Sequence, residues 1–567
     1  MIYSIADNIT SPLGLTTEEN YRALIDGRSA LRRYDDYNGV PEPFVASLFT
    51  DEQWAAISID GLTRFESLVL RSVTAALSQA GLDVVSQRVV LILSSTKANV
   101  ELLEAGDTTE REYPGTGAEK IARLLGMQTV PVTVCNACIS GLSAVILAQR
   151  LLDARAYDYA IVCGADCLTR FVISGFQSFK AVSAEACRPF DMERLGLNLG
   201  EAAATIVFAA NHVATTKGWG IAQGAVSNDA YHISAPSKNG EGACQALRAV
   251  TEGHDLSQLA FVNAHGTATM FNDQMESVAI ERAGLSAIPV NGLKGYYGHT
   301  LGAAGVLETV ISMRAADEGI VLGTRGFTEL GVSGRISLSA QHRHSSGTSF
   351  VKMISGFGGC NAAVWATKSG DVDTPPLTAA RLQTLHHVTI TPQGATLDGQ
   401  PLDCAVTGRE LLTAIYRQHI GDYPKFYKMD MLSRLGFVAS ELLLAAETSR
   451  PRFVACSDRA VIVFNRASTV DTDKHYLDSI IREDDYFPSP SLFVYTLPNI
   501  VTGEIAIRNH YHGETSFYVL PQRNDDLMNL TVSVSMADRQ DGSVLCGWLD
   551  YEDESRYCAD FYLKRKI

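Results

Sequence analysis

The first two thirds of this 567-residue chain predict an α/β layered fold, on two observations. Short β-rich runs, RVVLIL, YAIVCG, ATIVFAA and LAFVNAHG, alternate with helical patterns such as RFESLVLRSVTAALSQAG and LSAVILAQRLLDARA. There is also an internal echo. CNACISGLSAVILAQRL and GYYGHTLGAAGVLETVISM are both small-residue turns entering an apolar helix, and LGEAAATIVFAA and GFGGCNAAVWAT both set a glycine-rich turn before a strand. Two similar βα halves bring corresponding turns together around a pseudo-twofold axis.

Bulk composition bounds the rest. A chain this long with 46% hydrophobic and 19% charged residues is globular and exceeds what one core can organise. The net charge of -16 excludes a broad basic surface for nucleic acid, so an acidic partner must dock locally. No uncharged apolar run reaches the ~18 residues of a membrane span; GFVASELLLAA is interrupted by Glu441. Eleven cysteines, an odd number, and an N-terminus MIYSIADNITSPLG without a basic leader or apolar core give a reduced cytoplasm as the expected setting. Composition shifts at SGDVDTPPLTAARLQT, Ser369 to Thr384. The expected organisation is a domain over 1–368 with halves of about 1–215 and 216–368, a linker over 369–385 and a further unit over 386–567.

The stretch VCNACISG holds Cys135 and Cys138 as C-x-x-C, and with Cys163 and Cys167 it has the outline of a zinc pattern. Residues 139 to 162 between them read as a helix and then a buried strand, which speaks against a zinc ribbon. A redox pair fits the local shape, but so does a lone nucleophile. A cysteine at a helix N-terminus feels the positive end of the macrodipole, which favours thiolate, and backbone N–H groups there can receive an oxyanion. On this reading Cys138 is the reactive thiol and Cys135 is packing.

Of thirteen histidines, His265 ends a strand in FVNAHGTATMFNDQMES and His299 sits in the turn of NGLKGYYGHTLGAAGVLE. Each alone reads as structural; together, each beside a glycine, they form a candidate pair. Asp273 and Glu276 near His265 have no metal-ligand spacing and suit a helix start, so no metal is expected. The glycine runs lack the lysine of a phosphate loop and the strand-plus-acid setting of a dinucleotide site.

Through these motifs the first ~367 residues resemble the β-ketoacyl-acyl carrier protein synthases of the thiolase fold. SPLGLTTEENYRALIDGRSAL, NACISG, RPFDMERLGLNLGEAAATIVF, NAHGTATMFNDQMES, KGYYGHTLGAAG and ISGFGGCNAAV follow the family's order. The resemblance implies a duplicated αβαβα thiolase-like fold and a decarboxylative Claisen condensation in fatty-acid, polyene or polyketide synthesis. Cys138 takes the acyl chain from an acyl carrier protein, with the N–H groups of Cys138 and Phe357 as oxyanion hole. His265 and His299 stabilise the enolate of malonyl-carrier protein, Lys294 supports them electrostatically, and Glu308 is a buried acid on the next helix. Thr267 and Thr269 contact the phosphopantetheine arm, which the carrier protein brings; no cofactor is bound. Phe357 is also the aromatic gate. The Cys–His–His set implies the elongating type, and the family's habit implies a homodimer. Ile354, Ser355 and Ala202 depart from the family's commonest residues. The rival functions are a non-catalytic chain-length or scaffold subunit and a non-decarboxylative acyltransferase.

After ~385 the chain is too short for a second complete enzyme but echoes the first half. KMDMLSRLGFVASELLLAAE matches the pattern of RFESLVLRSVTAALSQAG, and RFVACSDRAVIVFNRA that of RVVLILSSTKANVE. The nucleophile's place falls near Pro521 to Asp525, without a cysteine. This segment resembles the short ketosynthase-like proteins related to chain-length factors of aryl polyene-type pathways, which implies a catalytically silent half-domain; an unrelated accessory domain is the alternative. His510 and His512 read as alternating positions of a strand.

Overall fold

The computed structural model describes residues 1–567 apart from 86–87, 108, 216–217, 369–375, 482–485 and 538–541. At the boundary expected near 215–216, residue 216 lies outside the described residues, as do 369–375 of the expected linker; the linker's end is corrected, since a strand already begins at Leu382.

Three sets of five strands carry the architecture. The first is β1 (Ile2–Thr10), β2 (Val89–Ser94), β3 (Val132–Val134), β4 (Tyr159–Asp166) and β5 (Ala202–Ala210). They lie in the order β3–β2–β4–β5–β1, parallel among the first three and antiparallel thereafter. The second is β6 (Gly220–Asn228), β7 (Leu259–Asn263), β8 (Val290–Asn291), β9 (Ser349–Ser355) and β10 (Cys360–Thr367). Their order, β8–β7–β9–β10–β6, and their directions repeat the first set strand for strand. Such sheets are covered on both faces, which is why the strands read as unbroken apolar runs.

The last third repeats the plan again. Strands β11 (Leu382–Thr391), β12 (Arg459–Asn465), β13 (Thr515–Val519), β14 (Ser543–Asp553) and β15 (Arg556–Lys566) lie in the order β13–β12–β14–β15–β11 with the same directions. It is a third copy of the half-fold, so its echo of the first half is topological as well as sequential.

Helices α1 (Arg64–Ala80), α2 (Ser140–Asp153), α3 (Met270–Arg282), α4 (Ala304–Asp317), α5 (Met431–Ala446), α6 (Ile500–Asn509) and α7 (Asp525–Ser535) matter for the site. A capping box of Thr63 and Glu66 starts α1. Helices α2 and α4 are buried over nearly their whole surface, as apolar helices without a solvent face must be. Their N-termini touch backbone to backbone: a Cβ on Gly305 would stand 2.3 Å from the Leu142 nitrogen, and one on Gly141 2.8 Å from the Gly302 oxygen. This contact brings together the turn before α2, with Cys138, and the turn before α4, with His299.

The third copy joins the first edge to edge. Strand β13 pairs antiparallel with β3, its counterpart, through Tyr518↔Val134 and Val519↔Thr133. Cys135 N–H donates to the Phe517 carbonyl at 3.1 Å, and Phe517 N–H donates to Asn136 Oδ1 at 2.7 Å. Arg150 on α2 grips Glu514 through two 2.9 Å bonds, both side chains buried. His510 and His512 are not strand residues as expected. His510 is the left-handed C-cap of α6, and His512 follows it in the turn, its Nδ1 3.1 Å from the Asn228 carbonyl; alternation of polar and aromatic residues in NHYHG comes from a helix end. No helix among the described residues is long and apolar enough to cross a membrane.

Candidate active site

Cys138 lies where strand β3 turns into α2. Ala137 takes the left-handed conformation at φ 47°, a single turn of 3-10 helix spans Ala137–Ile139, and α2 follows. Asn136 and Ser140 lock the turn, with Asn136 N–H donating to Ser140 Oγ at 2.8 Å and that hydroxyl donating to the Ala137 carbonyl at 2.6 Å. The backbone N–H groups of Cys138 and Phe357 both interact with the Cys138 sulfur.

His265 follows β7, and His299 precedes α4. Their rings meet edge to face with centroids 4.9 Å apart, and Cys138 Sγ and one nitrogen of each ring all lie within 4.8 Å of one another. Leu301 N–H donates to His299 Nδ1 at 3.3 Å, so the neutral ring carries its proton on Nε2. That Nε2 and His265 Nδ1 are buried without a protein partner among the described residues.

Beneath the histidines sits a buried charge cluster. Glu308 on α4 accepts from Lys294 Nζ at 2.8 Å and from Lys352 Nζ at 2.5 Å. Burial alone would raise the Glu308 carboxyl, but the two ammonium groups hold it below its ordinary value. Burial brings Lys352 down to about 8 against the attraction of Glu308. His265 and His299 are held well below 6.5, first by burial and then by Lys294 and Lys352, with each other's proximity also depressing His265. Both rings are therefore neutral across physiological pH.

At Cys138 the N–H groups do favour the anion, as expected, but burial opposes them. Burial pushes the thiol up to about 12, outweighing Lys294 and the two N–H groups that favour the anion. One helix end is worth at most ~2 kcal/mol, less than removing a thiolate from water costs here.

Thr267 and Thr269, whose hydroxyls are 2.9 Å apart, line a cavity of ≈ 330 Å³ with Cys138, His265, His299 and Phe357. Behind Phe357, Cys138 also meets a second space of only ≈ 10 Å³, about one water, walled by Val172, Phe176, Leu301, Lys97, Phe493 and Leu497. Cys138, Phe176 and Phe357 line both. Asp273 and Glu276 on α3 shape the neighbouring loop rather than face a ligand: Glu276 accepts the N–H groups of His265 and Gly266 at 2.7 Å, and Asp273 those of Phe190 and Ala268. The set Cys138, His265 and His299 has donors suited to a soft divalent cation such as zinc.

Sequence reasoning missed three contributors. Lys352 is fully buried in the strand SFVKMIS; a lone lysine in an apolar run was its signal. Asp166, ending β4, accepts from Ser95 Oγ at 2.6 Å and Gly302 N–H at 2.7 Å, tying the first two repeats beside the site. Lys97 Nζ pairs with Asp473 of the third repeat at 2.6 Å in the wall of the smaller cavity. Ser355, one of the departures from the family pattern, donates to Asn361 Oδ1 at 2.7 Å on the cavity's rim, while Ile354 and Ala202 are simply buried.

A duplicated αβαβα fold with a cysteine and a histidine at the facing helix turns, and a second histidine beyond β7 beside them, is that of a thiolase-fold condensing enzyme. Comparison with known proteins agrees. The model of the β-ketoacyl synthase N-terminal domain matches residues 2–214 and that of its C-terminal domain residues 219–328. The 3-oxoacyl-[acyl-carrier-protein] synthase 2 of Vibrio harveyi is 27% identical over 55% of this chain and 84% of its own length, and that of Rhizobium meliloti 28% over 63% and 96%. The crystal structure of a β-ketoacyl synthase from Burkholderia phymatum matches 65% of this chain and 99% of its own, at 25% identity and TM-score 0.59. The "PfaC Keto synthase-Chain length factor" structure covers all of this chain and 78% of its own at TM-score 0.77; at 14% identity it shows the fold alone. The chain belongs to the β-ketoacyl synthase family. Its reaction is the acyl-transferring condensation of a 3-oxoacyl-[acyl-carrier-protein] synthase.

Proposed function

We propose that Cys138, His265 and His299 carry an elongating, decarboxylative condensation. The observation behind it is the convergence of one sulfur and two neutral imidazoles within 4.8 Å in the wall of the larger cavity, with Cys138 also bordering the smaller one. Acyl-carrier protein docks at the mouth of the larger cavity, and its phosphopantetheine arm enters past Thr267 and Thr269. The thiol of Cys138 attacks the thioester carbonyl and the N–H groups of Cys138 and Phe357 receive the oxyanion. As the C–S bond to the carrier breaks, the carrier thiol leaves with the proton that Cys138 gave up. The enzyme needs no cofactor of its own, since the carrier supplies the arm.

Malonyl-carrier protein then binds with its thioester oxygen toward the protonated nitrogens of His299 and His265. The bond between the carboxylate and Cα breaks, carbon dioxide departs, and the electron pair becomes an enolate held by these two donors. Neutral rings suit this task because each keeps an N–H to give; the net positive charge of Lys294, Lys352 and Glu308 further favours the enolate. Its carbon attacks the Cys138 thioester, the oxyanion forms again in the same hole, the C–S bond to Cys138 breaks to release the 3-oxoacyl carrier protein, and the Cys138 thiolate takes up one proton from water to restore the thiol.

The third repeat is a catalytically silent, chain-length-factor-like partner built into the same chain. Support comes from its strand order, from the absence of cysteine at Pro521–Asp525 and from its edge pairing with β3, which occupies that edge within the chain. This favours an intramolecular pair over pairing of two copies at that edge, and a polyene or other specialised fatty-acyl pathway over housekeeping synthesis. The test is loading of octanoyl-carrier protein followed by malonyl-carrier protein: elongation by the wild type and none by Cys138→Ala supports the reading, whereas decarboxylation without elongation favours a scaffold role.

A further inference from the structure

The loop that carries the gate, Gly356 to Cys360, has little stiffness of its own. Gly358 and Gly359 both take positive φ, +90° and +73°, so the chain there is held by its surroundings rather than by side-chain sterics. Hydrogen bonds hold it at Gly358 N–H, which donates to the Ile233 carbonyl at 2.6 Å, and at the Gly359 carbonyl, which accepts from Asp229 N–H at 2.7 Å and from Asn361 Nδ2 at 3.1 Å; two further side-chain amides reach the carbonyls nearer the gate. Asn228, at the end of β6 in the synthase, donates from Nδ2 to the Gly358 carbonyl at 2.8 Å. Asn499, immediately before α6 in the third repeat, donates from Nδ2 to the Phe357 carbonyl at 2.8 Å and faces Cys360 Sγ at 3.7 Å. The fit is close: a Cβ on Gly358 would lie 2.6 Å from Asn499 Nδ2, and one on Gly503 2.7 Å from the Gly358 oxygen. Asn499 is 1% exposed. The side chain of Phe357 is reached from the same direction, since Phe176 and Phe179 pack on its ring and both contact Phe493 of the third repeat, at 5.5 and 6.3 Å between centroids.

We propose that Asn499 is a positioning residue for acyl transfer: from the silent repeat, it fixes the Phe357 backbone so that the Phe357 N–H faces the oxyanion formed at Cys138. This rests on the assignment of Cys138 as nucleophile and of Phe357 N–H as an oxyanion donor. An oxyanion donor acts over a few tenths of an ångström, and a loop of consecutive glycines cannot keep that register unaided. The silent repeat thereby completes the acyl-transfer half of the active site, while the enolate half depends on His265 and His299, which Asn499 does not touch.

The two half-reactions separate the claim from a general structural role. In the full chain, Asn499→Asp keeps the shape but turns an acceptor toward the Phe357 carbonyl, and Asn499→Ala removes the amide altogether. Thr502→Val is the control: Thr502 Oγ1 donates to the Asn499 backbone carbonyl at 2.7 Å in the same helix end without reaching the loop. Acylation of Cys138 by octanoyl-carrier protein is followed by intact-protein mass spectrometry, and decarboxylation of malonyl-carrier protein by carbon dioxide release. Expected are acylation rates down by about tenfold or more in both Asn499 variants, as a displaced rather than deleted donor implies, with decarboxylation within about twofold of wild type. Thr502→Val keeps both rates within the same limit. Wild-type acylation in Asn499→Asp, an equal fall of both half-reactions, or an equal loss in Thr502→Val each overturns the proposal. A wild type that neither acylates nor decarboxylates overturns the site assignment, and this proposal with it.

Discussion

Glu308→Gln is the most informative perturbation of the charge cluster. In the wild type two ammonium groups and one carboxylate, all buried, sum to a formal +1; the variant keeps the shape of residue 308, raises the formal sum to +2 and takes from Lys352, already down to about 8, the attraction that holds its proton. Stripping one partner from a buried ion pair costs about 3–5 kcal/mol, because the remaining charge has lost both water and counter-ion. Lys352→Met alone brings the sum to 0, and Glu308→Gln with Lys352→Met restores +1. The double variant is therefore more stable than Glu308→Gln, with a coupling of at least ~2 kcal/mol in a double-mutant cycle. Urea unfolding with a shared m-value measures it. A loss below ~1 kcal/mol in Glu308→Gln, or additive effects in the cycle, would refute the reasoning that Glu308 neutralises both lysines.

Three further outcomes follow from the geometry. Because His265 and His299 are held well below 6.5 when folded, malonyl decarboxylation shows no acid limb at pH 6–7. The unfolded chain takes up protons at these two residues first, so their burial makes stability fall as pH drops below about 6.5; a decarboxylation profile with a limb near 6.5 contradicts this. Glu514→Ala withdraws the carboxylate that grips Arg150 across the junction of the first and third repeats, with an expected loss of ~3–5 kcal/mol and faster proteolysis of the C-terminal third; an unchanged cleavage rate argues against a junction held by this pair. Cys135→Ser leaves condensation largely intact while Cys138→Ser does not, and added zinc inhibits the wild type reversibly through Cys138, His265 and His299, as steady-state assays with and without chelator will read.

The fold was legible where local pattern and tertiary role coincide. Strands β2 and β4, covered on both faces, announce themselves as apolar runs, and the turns at Cys138 and His299 carry the small residues that let α2 and α4 touch. The similarity of α5 to α1 and of β12 to β2 likewise pointed to a repeated half. What stayed hidden was non-local. Nothing near Val134 or Tyr518 signals that two short strands will pair, and Asn499 lies 142 residues from the carbonyl it holds. Lys352 was absorbed into an apolar strand because its partner Glu308 lies on another element, 44 residues away. At Cys138 the sequence showed the helix end that favours the anion, a local feature, and not the opposing desolvation, which comes from every element packed around the thiol.

The central claim is that Cys138 carries the acyl chain that malonyl-derived carbon then extends. Mass spectrometry of wild type and Cys138→Ala, each supplied with octanoyl- and malonyl-carrier protein, tests it most directly. The wild type should show a covalent acyl adduct on the Cys138 peptide and yield a 3-oxoacyl carrier protein two carbons longer, and the variant neither. Elongation by Cys138→Ala, or an acyl adduct on another cysteine of the wild type, would contradict it.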